Sequence, residues 1–155
     1  MPREAAVTST SADSRGVARR PVVILYHHPD LRSTQALRAV SAGLEEEKVL
    51  YEVREVADPR ALVMRAAELA HLAASESPLG VGVALAADGS VAVQTAKMDP
   101  GFPILQTQMR TQTQDSLSAL REMGHDAARI VKGLPLKSAA KTTAPINHRT
   151  SKEGM

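Results

Sequence analysis

Apolar positions along the chain fall into short runs that switch between two periods. Residues 22–27 (VVILYH) form a continuous, β-branched run after Pro21 and predict a strand buried on both faces. Pro29-Asp30 breaks the run. Leu37, Val40 and Leu44, spaced by three and four, then predict a helix that reaches Lys48, with Asp30 or Ser33 as its cap. Residues 51–56 (YEVREV) alternate, as a strand near a sheet edge does. Asp58-Pro59 supplies a cap and a first-turn proline for a second helix, lined by Leu62, Ala66, Leu69 and Ala73 and ended by residues 75–78. Residues 79–86 (LGVGVALA) predict a third strand, and the Asp88-Gly89 turn leaves room only for a hairpin, so 91–96 (VAVQTA) is expected antiparallel to it. A fifth strand at 104–108 follows the Asp99-Pro100-Gly101 turn. The last helix spans 113–132, with Leu117, Leu120, Ala127 and Val131 inward and Gly133 and Pro135 closing it. Two right-handed crossovers followed by a hairpin predict an α/β fold: a mostly parallel five-stranded sheet with helices on both faces.

Composition narrows the picture. At 155 residues the chain suits one domain, and 43% apolar with 23% charged residues excludes wholesale disorder. Aromatics are 2% (Tyr26, Tyr51, Phe102), so the core is expected from Ala, Val, Leu and Ile, and a base-stacking platform for single-stranded nucleic acid is excluded. The lack of cysteine removes disulfides, thiolate zinc sites and cysteine nucleophiles. Residues 1–20 and 138–155 are poor in bulky apolar side chains and read as mobile tails flanking a domain at 21–137. Each tail carries a net charge of +2: Arg3, Arg15, Arg19 and Arg20 against Glu4 and Asp13, then Lys141, Arg149 and Lys152 against Glu153. The sequence total is +2, which leaves the domain at −2 and without the basic face that duplex binding needs. No stretch is long and apolar enough for a membrane span and no apolar signal core opens the chain, so a soluble, cytoplasmic protein is expected.

Few residues offer chemistry. His27-His28 ends the first strand at the sheet edge where α/β folds bind ligands, but strand neighbours point to opposite faces and no Gly-rich loop follows. His125-Asp126 sits in the last helix, where adjacent side chains diverge by about 100°, and reads as surface decoration. Gly80 and Gly82 fall inside a predicted strand, where close packing explains them better than a dinucleotide fingerprint. The local anomaly is Glu45-Glu46-Glu47, three carboxylates at a helix C-terminus, where the macrodipole disfavours them and only Lys48 lies nearby in sequence. Helical geometry puts Glu47 on the flank of the buried face, Glu45 on the other side and Glu46 almost directly outward, so Glu46 is best aimed at a partner. One carboxylate supplies too few oxygens for Mg2+ or Ca2+, so any ion there needs ligands from another chain. No nucleophile and base fall at a recognisable spacing, and a non-enzyme is expected.

GLEEEKV (43–49), SPLGVGVAL (77–85) and DAARIVKGLPL (126–136) occur in an order and at separations that resemble the small, or beta, subunit of the diol and glycerol dehydratase reactivases. The resemblance spans about 115 residues, roughly 22–136. It implies a three-layer α/β/α sandwich with one antiparallel strand, anticodon-binding-domain-like and similar to the dehydratase medium subunit, in agreement with the topology read from periodicity. It also implies a non-catalytic partner in a chaperone-like α2β2 heterotetramer. Two large subunits bind and hydrolyse ATP, and the complex frees an adenosylcobalamin-dependent dehydratase from damaged cobalamin by subunit exchange, in the cytoplasm or within a bacterial microcompartment. ATP and ADP belong to the large subunit and cobalamin to the client enzyme. In this family the second carboxylate of the run, here Glu46, completes a divalent-ion site (Mg2+ or Ca2+) on the large subunit, which makes Glu45, Glu46 and Glu47 the expected interface. The chain departs from the family in its longer tails and in Lys48, where glycine commonly follows the run. Two rivals remain open: the dehydratase medium subunit itself, and a stand-alone α/β ligand-binding or regulatory domain.

Overall fold

The computed structural model describes residues 20–31, 34–108 and 113–137. The tails expected at 1–20 and 138–155, apart from Arg20, lie outside the described residues, as does Ser33.

The chain forms β1 (Val23–His27), a 3-10 turn (Pro29–Leu31), α1 (Gln35–Glu46), β2 (Tyr51–Glu55), a short α2 (Pro59–Leu62), α3 (Ala66–Glu76), β3 (Val81–Leu85), β4 (Ser90–Thr95), β5 (Leu105–Gln108) and α4 (Gln114–Lys132). The strands make one open sheet in the order β2-β1-β3-β4-β5. β1 pairs in parallel with β2 and β3, while β4 is antiparallel to both of its neighbours, so it alone runs against the rest. One row of register partners crosses the whole sheet: Val53, Leu25, Val83, Val93, Leu105.

Alternation along the strands sorts side chains by size. Val23, Leu25, Val81, Val83, Leu85, Val91 and Val93 meet Leu37, Val40 and Leu44 of α1 and Leu120, Met123 and Ala127 of α4 in the larger core. The opposite face offers small residues to an alanine-rich helix: Ala84 and Ala92 meet Ala66, Leu69 and Ala70. A Cβ on Gly82 would fall 2.3 Å from the Ala74 amide nitrogen and 2.4 Å from the Ala70 carbonyl oxygen. α3 therefore lies almost on the backbone of β3, and close packing is the reason for this glycine.

Several expectations change. Asp30 does not cap the first helix; it sits in the 3-10 turn, and Thr34 is the cap, its Oγ1 accepting from the Leu37 amide at 3.2 Å. The single helix expected after Asp58-Pro59 is two. Asp58 caps α2, the chain leaves helical geometry after Val63, and Arg65 starts α3 with Glu68 reaching back to its amide. Gly80 precedes β3 at φ 73°, with nothing within 4 Å of a would-be Cβ, so backbone conformation rather than packing requires it.

Candidate functional site

The end of α1 is built by a backbone motif. The Val49 amide donates to the Leu44 carbonyl (3.2 Å) and the Lys48 amide to the Glu45 carbonyl (2.9 Å), with Lys48 left-handed at φ 60°. This is the Schellman arrangement, and Leu44 and Val49 make its apolar contact inside the core. Lys48 thus ends the helix as a glycine would, and α4 ends by the same pair of bonds around Gly133 at φ 73°. The termination fixes where the three carboxylates point.

α1 reaches α4 through two glycines. A Cβ on Gly43 would lie 2.1 Å from the Arg121 carbonyl oxygen, and one on Gly124 would lie 2.2 Å from that of Val40 and 3.0 Å from the Gly43 Cα. The backbones touch, which carries the carboxylate run onto the face of α4 bearing Arg121, His125, Arg129 and Lys132. Glu46 accepts from Arg121 through Nε (3.0 Å) and Nη2, and its Oε1 lies 2.7 Å from His125 Nε2. Glu47 lies 2.7 Å from His125 Nδ1, accepts from Lys132 Nζ at 3.1 Å and has Arg129 Nε at 3.6 Å. Hydrogen bonds from His125 and then Lys132 hold the Glu47 carboxyl down at about 2, from a usual 4.5. Glu45 turns away and accepts from the Tyr51 hydroxyl at 2.5 Å. Burial, and then this carboxylate, push the Tyr51 hydroxyl up to about 12.

The expected division of the run holds in part. Glu47 is on the buried flank at 13% exposure, and Glu46, at 37%, is open to solvent on one side but engaged with α4 on the other. His125-Asp126 is not decoration. His125 bridges two carboxylates, and Asp126 is fully buried with its Oδ1 accepting from the Lys137 amide at 2.6 Å. Arg121, Arg129 and Lys132 were missed, although with His125 they recur at steps of four, four and three, the spacing of a helix face. His27 is buried with Nδ1 on the His28 carbonyl (2.9 Å), and His28 Nδ1 accepts from the Asp30 amide (3.1 Å), so the structure does not converge this pair on one point. Among the described residues no three His, Asp or Glu side chains are grouped to hold a metal ion, and no helix is long and apolar enough to cross a membrane. A single exposed carboxylate, here already engaged by Arg121 and His125, does not make a self-contained ion site.

The class is thus a three-layer α/β/α domain whose distinctive surface is an acidic helix end held on the basic face of a second helix. A family model described as dehydratase medium subunit matches residues 20–137. The chain belongs to the dehydratase medium subunit family. A solved glycerol dehydratase reactivase is similar at 30% identity and TM-score 0.67, over 76% of this chain and 97% of that one. The fold is also that of a diol dehydratase-reactivating factor solved with ADP and Mg2+, at 24% identity and TM-score 0.64, over 77% of this chain and 99% of that one. No curated protein matches.

Proposed function

We propose that the chain is the non-catalytic small subunit of a factor that reactivates an adenosylcobalamin-dependent diol or glycerol dehydratase. The observation that carries this reading is the extent of the likeness: 30% identity spread over 97% of a glycerol dehydratase reactivase chain. The folded unit here has almost that chain's full span. The GLEEE helix end, the SPL strand and the closing VKG-x-P segment, by which the sequence resembles the small subunits, all lie within it. In this role the chain holds no nucleotide. A larger ATP-hydrolysing subunit does that, and the likeness of this domain to a dehydratase medium subunit lets it take that subunit's place while damaged cobalamin leaves the client.

Glu46 is the residue we assign to the junction, contributing one carboxylate to a divalent ion on the larger partner. Its position at the solvent-facing end of α1 supports this, as does the fixed aim that the helix termination gives it. Glu46→Gln keeps shape and removes the charge. It is expected to weaken assembly with the large subunit at least about tenfold in Mg2+, in keeping with the loss of one charged contact at a shared ion. Titration calorimetry with and without Mg2+ reads this, and an unchanged dissociation constant defeats the assignment.

The family description favours a second reading, in which the chain is a medium subunit built into the dehydratase. Affinity capture with this chain as bait, from cells grown on glycerol or 1,2-propanediol, separates the two. Copurification of a large ATPase supports the reactivase. Recovery of the dehydratase's other subunits in fixed stoichiometry without an ATPase supports the medium subunit.

A further inference from the structure

Resting on the reactivase reading, we infer that Arg121 and His125 form an intramolecular clasp that masks Glu46 until a partner's cation displaces them. Both oxygens of Glu46 are engaged within the chain: Oε1 by Arg121 Nε and His125 Nε2, Oε2 by Arg121 Nη2. A carboxylate so held has two of its principal directions filled by a planar, two-pronged donor. A cation from another molecule must therefore compete with Arg121 for the same lone pairs.

The two neighbouring carboxylates do not share this arrangement. Glu47 is tied by His125, Lys132 and Arg129 at 13% exposure and anchors α1 to α4, and Glu45 is tied to Tyr51 on another side of the helix. Glu46 alone of the three pairs with an Arg side chain that is itself 55% exposed. Ion pairs in that setting contribute little, since water solvates both partners when they part. The clasp is thus easy to open without loosening α1, because the Glu47 contacts and the Gly43–Gly124 apposition remain. His125 can stay on Glu47 through Nδ1 while its Nε2 contact to Glu46 opens. Arg121, four residues before His125 on α4, can swing into solvent or onto the incoming surface.

The contribution of Glu46 to affinity for the large subunit in Mg2+ should then equal the strength of its bond to the ion less the cost of opening the clasp. Arg121→Gln removes the bidentate donor and is expected to tighten assembly about two- to fivefold, the range of an exposed ion pair. Glu46→Gln weakens assembly, and in that background Arg121→Gln has no further effect. The wild type, the two single variants and the double variant are titrated against the large subunit, and the thermal midpoint of each small subunit confirms that it is folded. Arg121→Ala, which removes the donor altogether and leaves the His125–Glu47 anchor in place, provides a second release variant with tightening in the same direction. If Glu46→Gln weakens assembly but neither release variant tightens it, the clasp is wrong and the ion contact stands. If Glu46→Gln leaves assembly unchanged, the reading of Glu46 falls and the clasp falls with it.

Discussion

Lys48 is the only non-glycine residue at positive φ among those described. A left-handed conformation costs an L-residue about 1–2 kcal/mol, and glycine recovers that, less the entropy it adds to the unfolded chain. Lys48→Gly should therefore stabilise the domain by about 0.5–1 kcal/mol, read by chemical denaturation. It should leave the contacts of Glu46 in place, because the Schellman bonds are made by backbone. Tyr26 offers a second test. Its hydroxyl donates to Glu76 at 2.5 Å, and Arg54 binds the same carboxylate oxygen at 2.9 Å. Burial first, then the hydrogen bond to Glu76, raises this hydroxyl from 10.0 to about 12. The folded state thus holds its proton longer than the unfolded state. The contribution to stability is complete below pH 10 and declines above it as the unfolded chain ionises, and it is gone once the pH passes about 12. With two tyrosines and no tryptophan in the chain, phenolate absorbance against pH reports Tyr26 and Tyr51 together, both raised to about 12, and Tyr26→Phe should halve the high-pH step and lessen the decline.

Elements were legible in the sequence where a residue's role depended on its neighbours in sequence. The Asp88-Gly89 hairpin placed β3 and β4 within two residues of where they lie, and the stripe of Leu37, Val40 and Leu44 placed the body and end of α1 but not its start, since the candidate cap Asp30 falls four residues before Thr34. What spacing could not supply was any relation between residues 75 to 85 positions apart, and every contact from Glu46 and Glu47 to α4 is of that kind. His125 looked idle for this reason. The break between α2 and α3 was hidden because Leu62, Ala66, Leu69 and Ala73 keep helical spacing across it. The pairing of α1 with α4 makes its own prediction. Gly124→Ala puts a methyl group against the Val40 carbonyl and must force the helices apart, at a cost of about 2–3 kcal/mol in unfolding free energy, read by chemical denaturation. The same change should weaken assembly with the large subunit, although residue 124 carries no charge.

At the scale of the whole molecule, the sheet order places protection unevenly. β3 is buried along its whole length and paired on both sides, whereas β2 and β5 are edges with alternate residues exposed. Amide exchange followed by mass spectrometry should be slowest in β1, β3 and β4 and fastest among the strands in β2 and β5. Equal rates across the five strands would contradict this layering. The acidic end of α1 connects through 48–50 directly into edge strand β2, so the candidate docking carboxylate lies beside one of the two least protected strands, while its anchor Glu47 is fastened to the helix on the larger core.

The apposition of Gly43 and Gly124 bears on how such a surface would be mapped. Systematic replacement by alanine assumes that alanine subtracts. At these two positions it adds, since the new methyl groups would stand 2.1 and 2.2 Å from carbonyl oxygens of the opposite helix. A scan of this face would thus score two residues with no side chain to offer a partner among the most damaging, alongside the carboxylate we assign to docking. The ranking would measure how near two helices must come, not what they present once they have met.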